Sequence, residues 1–337
     1  MHNFSLSHWL NLSENDRLQI FEETASKKGL SSAVVEKDWW VVNTLAVVFS
    51  LEYSQFLIFK GGTSLSKGWN LIQRFSEDID LALDREFLGF KGELTKSNIR
   101  KLRKSSFKFI SETVTEDIKN MFAKLGFENV GVKYREVENH DQDPLIIEIT
   151  YPTITVKNIY LKPNVIVEIG SRSLKEPITK RTFGTFIGEV FPENAFSYNE
   201  ITIPIVNPER TLLEKIFLLH EEFQKPEGKI RVERLSRHLY DIEKLSHTKF
   251  AETALSNSKL YYTIVKHREK FTPISGINYE NHKPKNIRFI PPNTILKEWE
   301  IDYNLMRETM IYTNSLDFDE LIKSLTLFQN QINALAF

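Results

Sequence analysis

Asp78 and Asp80 flank Ile79 at the head of a short run of strand composition, Ile79-Asp-Leu-Ala-Leu83. Side chains two apart on a strand project from one face, and two carboxylates placed so repel each other unless a cation lies between them. Hard oxygen donors of this kind suit Mg²⁺ or Mn²⁺. Just upstream, a second strand-like run (Phe56 to Phe59) leads into Gly61 and Gly62, then Thr63, Ser64, Ser66 and Lys67. Paired glycines let the backbone approach a ligand closely, and the start of a following helix offers N–H groups to phosphate. The hydroxyls, Lys67 and Ser76 supplement that cradle, and Arg74 lies between the glycine pair and the aspartates. Ser76 stands two residues before Asp78, so a phosphate on it would set a dianion beside the carboxylates.

A phosphate cradle beside a carboxylate pair is what nucleotidyl transfer from an NTP requires. Metal ions there neutralise the triphosphate, lower the pKa of the attacking oxygen and stabilise the departing pyrophosphate. A third carboxylate is expected from a neighbouring strand. Glu168 is the only acid inside the apolar run Val165 to Ile169; Glu148, in Leu145-Ile-Ile-Glu-Ile149, is its rival. A lone Gly-Gly is commonly a turn, and a lone Asp-x-Asp a solvated strand face. The two together, each beside a strand, are far more specific. The segment is not a P-loop, since no Gly-Lys-Ser/Thr follows at the required spacing.

The chain that must position these groups has 337 residues, with 44 Lys plus Arg against 45 Asp plus Glu and no cysteine. Disulfides, thiolate metal sites and cysteine nucleophiles are therefore excluded, and a cytoplasmic setting is expected. Hydrophobic residues at 41% and charged residues at 26% are ordinary for a globular protein. The most apolar stretch, Trp39 to Leu51, falls short of the ~20 residues that span a bilayer, and the N-terminus does not read as a signal peptide.

Two helices open the chain, one capped by Ser13 and ending near Gly29, the next capped by Ser31 or Ser32. A long helical pattern follows the aspartates over 97–124, and strands recur at 130–137, 145–151, 165–169 and 201–205. Beyond Asn207-Pro208, a helix cap and a first-turn proline, the pattern is helical at 208–222, 230–246, 250–270 and 317–335. The expected architecture is α+β with two domains: 1–205, a mixed sheet with N-terminal helices, and 206–337, helical.

The pattern GG-T-x-L-x-K … R-x-S-x-D-I-D-L, spanning Gly61 to Leu81, resembles the AbiEii/AbiGii nucleotidyltransferase toxins of type IV toxin–antitoxin and abortive-infection systems. These belong to the DNA polymerase β-like superfamily, which implies a polymerase β-like core. Fifteen residues separate Gly62 from Asp78, more than the superfamily's usual spacing, as in the AbiEii-like branch. Glu36-Lys-Asp-Trp-Trp-Val41 is similar to the family's N-terminal helix signature, Asn207 to Lys215 to its third motif and Ser236 to Asp241 to its fourth. Ile290-Pro-Pro, Trp299, Asp302-Tyr303, Met306 and Phe318-Asp-Glu-Leu are similar to its C-terminal helices.

Lys215 shares a helix face with Leu212, Leu218 and Leu219, which by itself describes a lysine whose stem lies along a core helix. Arg234, Arg237 and Asp241 fall at i, i+3 and i+7, and an Arg237–Asp241 surface pair is the plain explanation. The resemblance implies more: Lys215 aimed at the triphosphate, Asp241 an essential acid near nucleotide or acceptor, and Arg237 beside the nucleotide. His238, one turn before Asp241, is placed either to orient it or to serve as a structural histidine. Seven bases against two acids between Arg85 and Lys104, and a second set (Arg172, Lys175, Lys180, Arg181) after Glu168, are expected to rim the site and to suit a polyanion. With the resemblance they favour RNA, above all the 3′ end of tRNA, as acceptor. An AbiEi-like antitoxin partner is implied by resemblance alone. Two other readings stay open, a small-molecule nucleotidyltransferase similar to aminoglycoside adenylyltransferases and a non-catalytic nucleotide-binding regulator.

Overall fold

The computed structural model describes residues 6–156, 162–174, 177–197 and 200–337. By chain packing it divides into two units: residues 1–68 with 75–206, and 207–337 with the short stretch Trp69–Arg74.

The first unit opens with helices α1 (Ser7–Leu10), α2 (Glu14–Lys28) and α3 (Ser32–Phe49). Ser13 and Asp16 form a capping box on α2, and Gly29 closes it in the left-handed conformation at φ 67°. Around them runs a seven-stranded mixed sheet of β1 (Leu57–Lys60), β2 (Asp78–Leu83), β3 (Gly131–Tyr134), β4 (Leu145–Thr150), β5 (Asn164–Gly170), β6 (Ile178–Phe183) and β7 (Ile201–Val206). The order across the sheet is β3-β4-β5-β2-β1-β7-β6. The strands β2 and β5 are parallel neighbours, and β1 is antiparallel to β2.

Alternation gives the sheet two different faces. Ile79, Leu81, Ile147, Ile149, Val165, Val167 and Ile169 are all fully buried on one. Helix α3 packs on that face, where Trp40 stacks on Tyr151 at 4.8 Å. Every residue of α3 from Val34 to Val48 is buried. Helices α4 (Gly61–Thr63), α5 (Lys96–Phe109), α6 (Thr115–Lys124) and α7 (Phe186–Val190) complete this unit. The ring of Phe122 in α6 lies 6.4 Å from Trp40, and that of Phe107 in α5 lies 6.1 Å from Tyr134, opposite Ile147. Both helices therefore belong to the apolar side.

The second unit is helical: α8 (Pro208–Glu222), α9 (Ser236–Ser246), α10 (Lys249–Ser256), α11 (Ser258–Phe271), α12 (Leu296–Thr309) and α13 (Phe318–Asn333). Its core gathers Leu212, Ile216, Phe217, Leu239, Tyr261, Trp299, Tyr303 and Leu325, each fully buried.

Several elements depart from the expected pattern. The helix expected over 97–124 is interrupted by a π turn at Ile110–Val114, where the Ile110 carbonyl accepts both the Thr115 N–H and, at 2.8 Å, its hydroxyl. The helix expected from 230 begins only at Ser236, because Arg234 is left-handed at φ 59°. That leaves Arg234 outside the stripe with Arg237 and Asp241. Asn257 splits 250–270 in two, its side chain capping Leu260 N at 2.9 Å. Strand β6 escapes the pattern altogether: five of its six residues are exposed, so no apolar alternation marks it.

Candidate active site

Asp78 and Asp80 lie on the face of β2 opposite α3, with Ile79 and Leu81 buried between sheet and helix. Asp80 is in register with Glu168 on β5 and with Lys60 on β1. In-register residues share a face, and adjacent strands lie about 4.8 Å apart, so Glu168 is the lateral neighbour of Asp80. Glu148 is on the same face but one strand further out, beside Ile166, about 10 Å from β2. Its carboxylate accepts from the Asn164 side chain at 2.6 Å. The register distinguishes what sequence spacing could not.

The turn after β1 fits against this pair. Lys60 is extended, Gly61 has φ 80°, and a short helix starts with no side chain capping it. A Cβ built on Gly61 would stand 1.8 Å from Oδ2 of Asp80. Only glycine admits both the left-handed backbone and the carboxylate. The uncapped first turn keeps main-chain N–H groups without intrahelical acceptors, and Gly62 belongs to it.

The neighbouring hydroxyls are engaged within the fold. Thr63 Oγ1 donates to the Asp78 carbonyl at 2.5 Å and lies 3.0 Å from Ser76 Oγ, tying the glycine turn to the start of β2. Ser64 donates to the Gly61 carbonyl at 2.8 Å and Ser66 to that of Thr63 at 3.2 Å. Lys67 does not extend toward a ligand here: its amine pairs with Asp38 at 2.8 Å and sits 4.0 Å over the Phe186 ring.

Among the described residues no three acidic or histidine side chains are gathered as a closed metal cage. The donor set nonetheless has the chemistry for a hard cation: three carboxylates on two adjacent parallel strands, with Asp80 seated in a pocket that a side chain at position 61 would fill.

Glu36, Lys37 and Asp38, marked in the sequence only as part of a family-like helix motif, are three consecutive charges that are all buried in α3. Glu36 accepts from Thr153 Oγ1 (2.6 Å), Ile154 N (2.9 Å) and Thr155 Oγ1 (2.5 Å). Lys37 bridges Glu77 at 2.5 Å and the Lys162 carbonyl at 3.0 Å. Asp38 takes Lys67 and the Phe186 N–H, the latter at 2.7 Å. Three adjacent charges in an otherwise apolar helix were the available signal, because buried charges need partners.

In the second unit, Asp241 is fully buried and holds Arg74 by two bonds, 2.7 Å from Nε and 2.8 Å from Nη2, and Lys215 at 2.8 Å. Its plain reading as the partner of a surface Arg237 is replaced by this inward cluster. Burial alone would raise the Asp241 carboxyl, but Arg74 and Lys215 outweigh it and hold it well below the usual carboxylate range. Burial pushes the Lys215 amine down, partly offset by Asp241. His238, with Nδ1 3.4 Å from Lys215 Nζ, is held neutral by burial and the nearby cations. The sequence insert between Gly62 and Asp78 carries the stretch Trp69–Arg74 that supplies the arginine. Asp302 of α12 anchors the start of α9, accepting from Arg234 N (2.7 Å) and Ser236 N (3.1 Å).

The basic runs sit differently from expectation. The set from Arg85 to Lys104 begins beyond the far end of β2, about 16 Å along the strand from Asp78. Its helix α5 is on the apolar side of the sheet. Arg103 donates to the Asp141 carbonyl at 2.6 Å and Arg172 pairs with Asp143 at 2.9 Å. Arg181 donates to the Gly68 carbonyl at 3.0 Å, and Lys175 lies outside the described residues. The lysines that register places on the carboxylate face are Lys60, Lys133 and Lys180.

A mixed sheet with paired aspartates on a strand, packed against a glycine turn that opens a helix, is the arrangement of a nucleotidyltransferase core. The model of the family described as nucleotidyl transferase AbiEii toxin, type IV toxin–antitoxin system, matches residues 46–324, and the chain belongs to that family. It is thus a nucleotidyltransferase toxin, for which an antitoxin partner follows. No curated protein matches the chain. Among the described residues no helix is long and apolar enough to cross a membrane.

Proposed function

We propose that the protein transfers a nucleotide from an NTP to the 3′-hydroxyl of RNA, at the acceptor end of tRNA, and so blocks translation in the cytoplasm until an AbiEi-like antitoxin restrains it. The observation that carries the reaction type is the seat of Asp80 against Gly61, with Asp78 on the same face and Glu168 alongside. The acceptor rests on family membership; the basic runs lend it less than their sequence positions suggested.

Asp78, Asp80 and Glu168 are the residues to hold Mg²⁺ or Mn²⁺, which when bound neutralises the triphosphate and acidifies the attacking hydroxyl. Main-chain N–H groups at Gly61 and Gly62 are the phosphate donors, since Thr63, Ser64 and Ser66 direct their hydroxyls to the backbone. The RNA 3′-oxygen forms a bond to the α-phosphorus, the bond from that phosphorus to the bridging oxygen of the β-phosphate breaks, and pyrophosphate leaves. Glu168 receives the hydroxyl proton. Lys215, with its amine kept in place by Asp241, is proposed as a cation for the triphosphate, and Arg237 as a nucleotide contact.

Incubation with total tRNA, Mg²⁺ and each α-labelled NTP tests this, with Asp80→Ala as control. Label on tRNA from the wild type alone is expected. Label on a small alcohol instead, or on nothing, would overturn the RNA acceptor.

A further inference from the structure

We infer that Lys37 is a positioning residue for the carboxylate site, clamping the leading ends of both strands that carry it. This rests on the reading of Asp78, Asp80 and Glu168 as the metal-holding set.

The side chain of Lys37 is 3% exposed, and among the described residues its amine binds at two points. One is Glu77, the residue immediately before β2; the other is the carbonyl of Lys162, two residues before β5. Those are the two parallel strands whose register sets Asp80 beside Glu168. Successive side chains on a strand face opposite ways. Pinning Glu77 toward α3 therefore commits Asp78 and Asp80 to the other face. A slip of one residue would turn both aspartates into the apolar layer and Ile79 out of it. The second bond fixes the approach to β5 to the same nitrogen, so the entry points of both strands are held by one helix. Helix α3 suits that task because it is enclosed along its whole middle.

A buried lysine could hold the fold without affecting the site, and the two are separable. Lys37→Met takes one cation from the buried Glu77 carboxylate, so its stability loss is ambiguous. Lys37→Met/Glu77→Gln removes both charges and is the deciding protein. Binding of Mn²⁺ alone is read by electron paramagnetic resonance of the free ion, beside thermal unfolding and the Mg²⁺ dependence of nucleotide transfer. The double variant is expected to unfold within a few degrees of wild type, yet to bind Mn²⁺ at least 10-fold more weakly and to need correspondingly more Mg²⁺. Lys37→Arg, able to span both partners, is expected to recover part of that affinity. Wild-type Mn²⁺ affinity in the double variant would overturn the clamp while leaving the carboxylate site standing. Unchanged Mn²⁺ binding in Asp80→Ala would overturn the metal reading itself, and the clamp with it.

Discussion

The carboxylate of Asp80 occupies the space that any side chain at position 61 would need: Oδ2 lies 1.8 Å, and Cγ 2.7 Å, from a Cβ built on Gly61. Two segments read separately in the sequence, the glycine turn and the aspartate strand, are thereby one packing unit. The Thr63 hydroxyl on the Asp78 carbonyl ties them a second time.

Gly61→Ala is expected to act through Asp80. A left-handed alanine costs about 1–2 kcal/mol in backbone energy, and the Asp80 carboxylate, 1.8 Å from the new Cβ, has to shift to make room. Misplacement of order 1 Å costs about 100-fold in rate. Steady-state transfer from a labelled NTP should fall by at least that factor while the protein stays folded by circular dichroism.

Glu168→Ala and Glu148→Ala should differ sharply. The first removes the lateral neighbour of Asp80 and is expected to reduce Mg²⁺-dependent transfer more than 100-fold. The second removes an acid one strand away that binds Asn164, and transfer should stay within about threefold. Equal losses in the two variants would refute the assignment.

Asp241→Asn leaves Arg74 and Lys215 buried with a neutral amide where their shared carboxylate stood. Breaking a buried pair from one side costs about 3–5 kcal/mol, so unfolding followed by calorimetry should shift down for the helical unit. The Asp241 carboxyl is depressed in the folded protein relative to its unfolded value near 3.9. Its contribution is therefore fully present above that value and is lost as pH falls below about 4. The variant should lack this part of the acid slope.

Lys67→Met should lower stability by stranding Asp38 in the core. Lys67→Met/Asp38→Asn should regain most of the loss, as expected when the pair is structural. If Lys67 bound triphosphate instead, the double variant would be stable yet show a large rise in the KM for NTP.

His220 predicts a second pH effect. Burial lowers it to about 4, with the adjacent His282 adding to the shift. The unfolded chain takes up that proton near 6.5, so stability declines as pH drops from about 6.5 toward 4, by up to about 3 kcal/mol. A His220→Gln variant, measured by urea unfolding across that range, should show a shallower decline.

The elements carrying the site were legible because each announces itself locally. Ser13 and Gly29 bracket α2 by capping chemistry, and the apolar runs of β2, β4 and β5 mark strands. What escaped depends on register and on distant partners. Glu148 and Glu168 sit in near-identical sequence surroundings and are separated only by which strand lies next to β2. The pairings of Lys67 with Asp38 and of Arg74 with Asp241 span 29 and 167 residues, so no local pattern shows them. The strand β6 lacks a buried face of its own, and the basic helix α5 followed the aspartates in sequence without following them in space.

The excursion of Trp69–Arg74 into the helical unit has a consequence for dissecting the molecule. A polypeptide ending at residue 206 would still carry the arginine whose acid is Asp241 and the Gln73 amide that bonds the Tyr240 hydroxyl at 3.3 Å. The complementary piece would keep the Asp241–Lys215 pair but lack the guanidinium that also binds that carboxylate. Co-expressed halves split at that point would have to exchange a six-residue loop to become whole. A viable split therefore belongs elsewhere, and shuffling the helical half between relatives requires moving this loop with it.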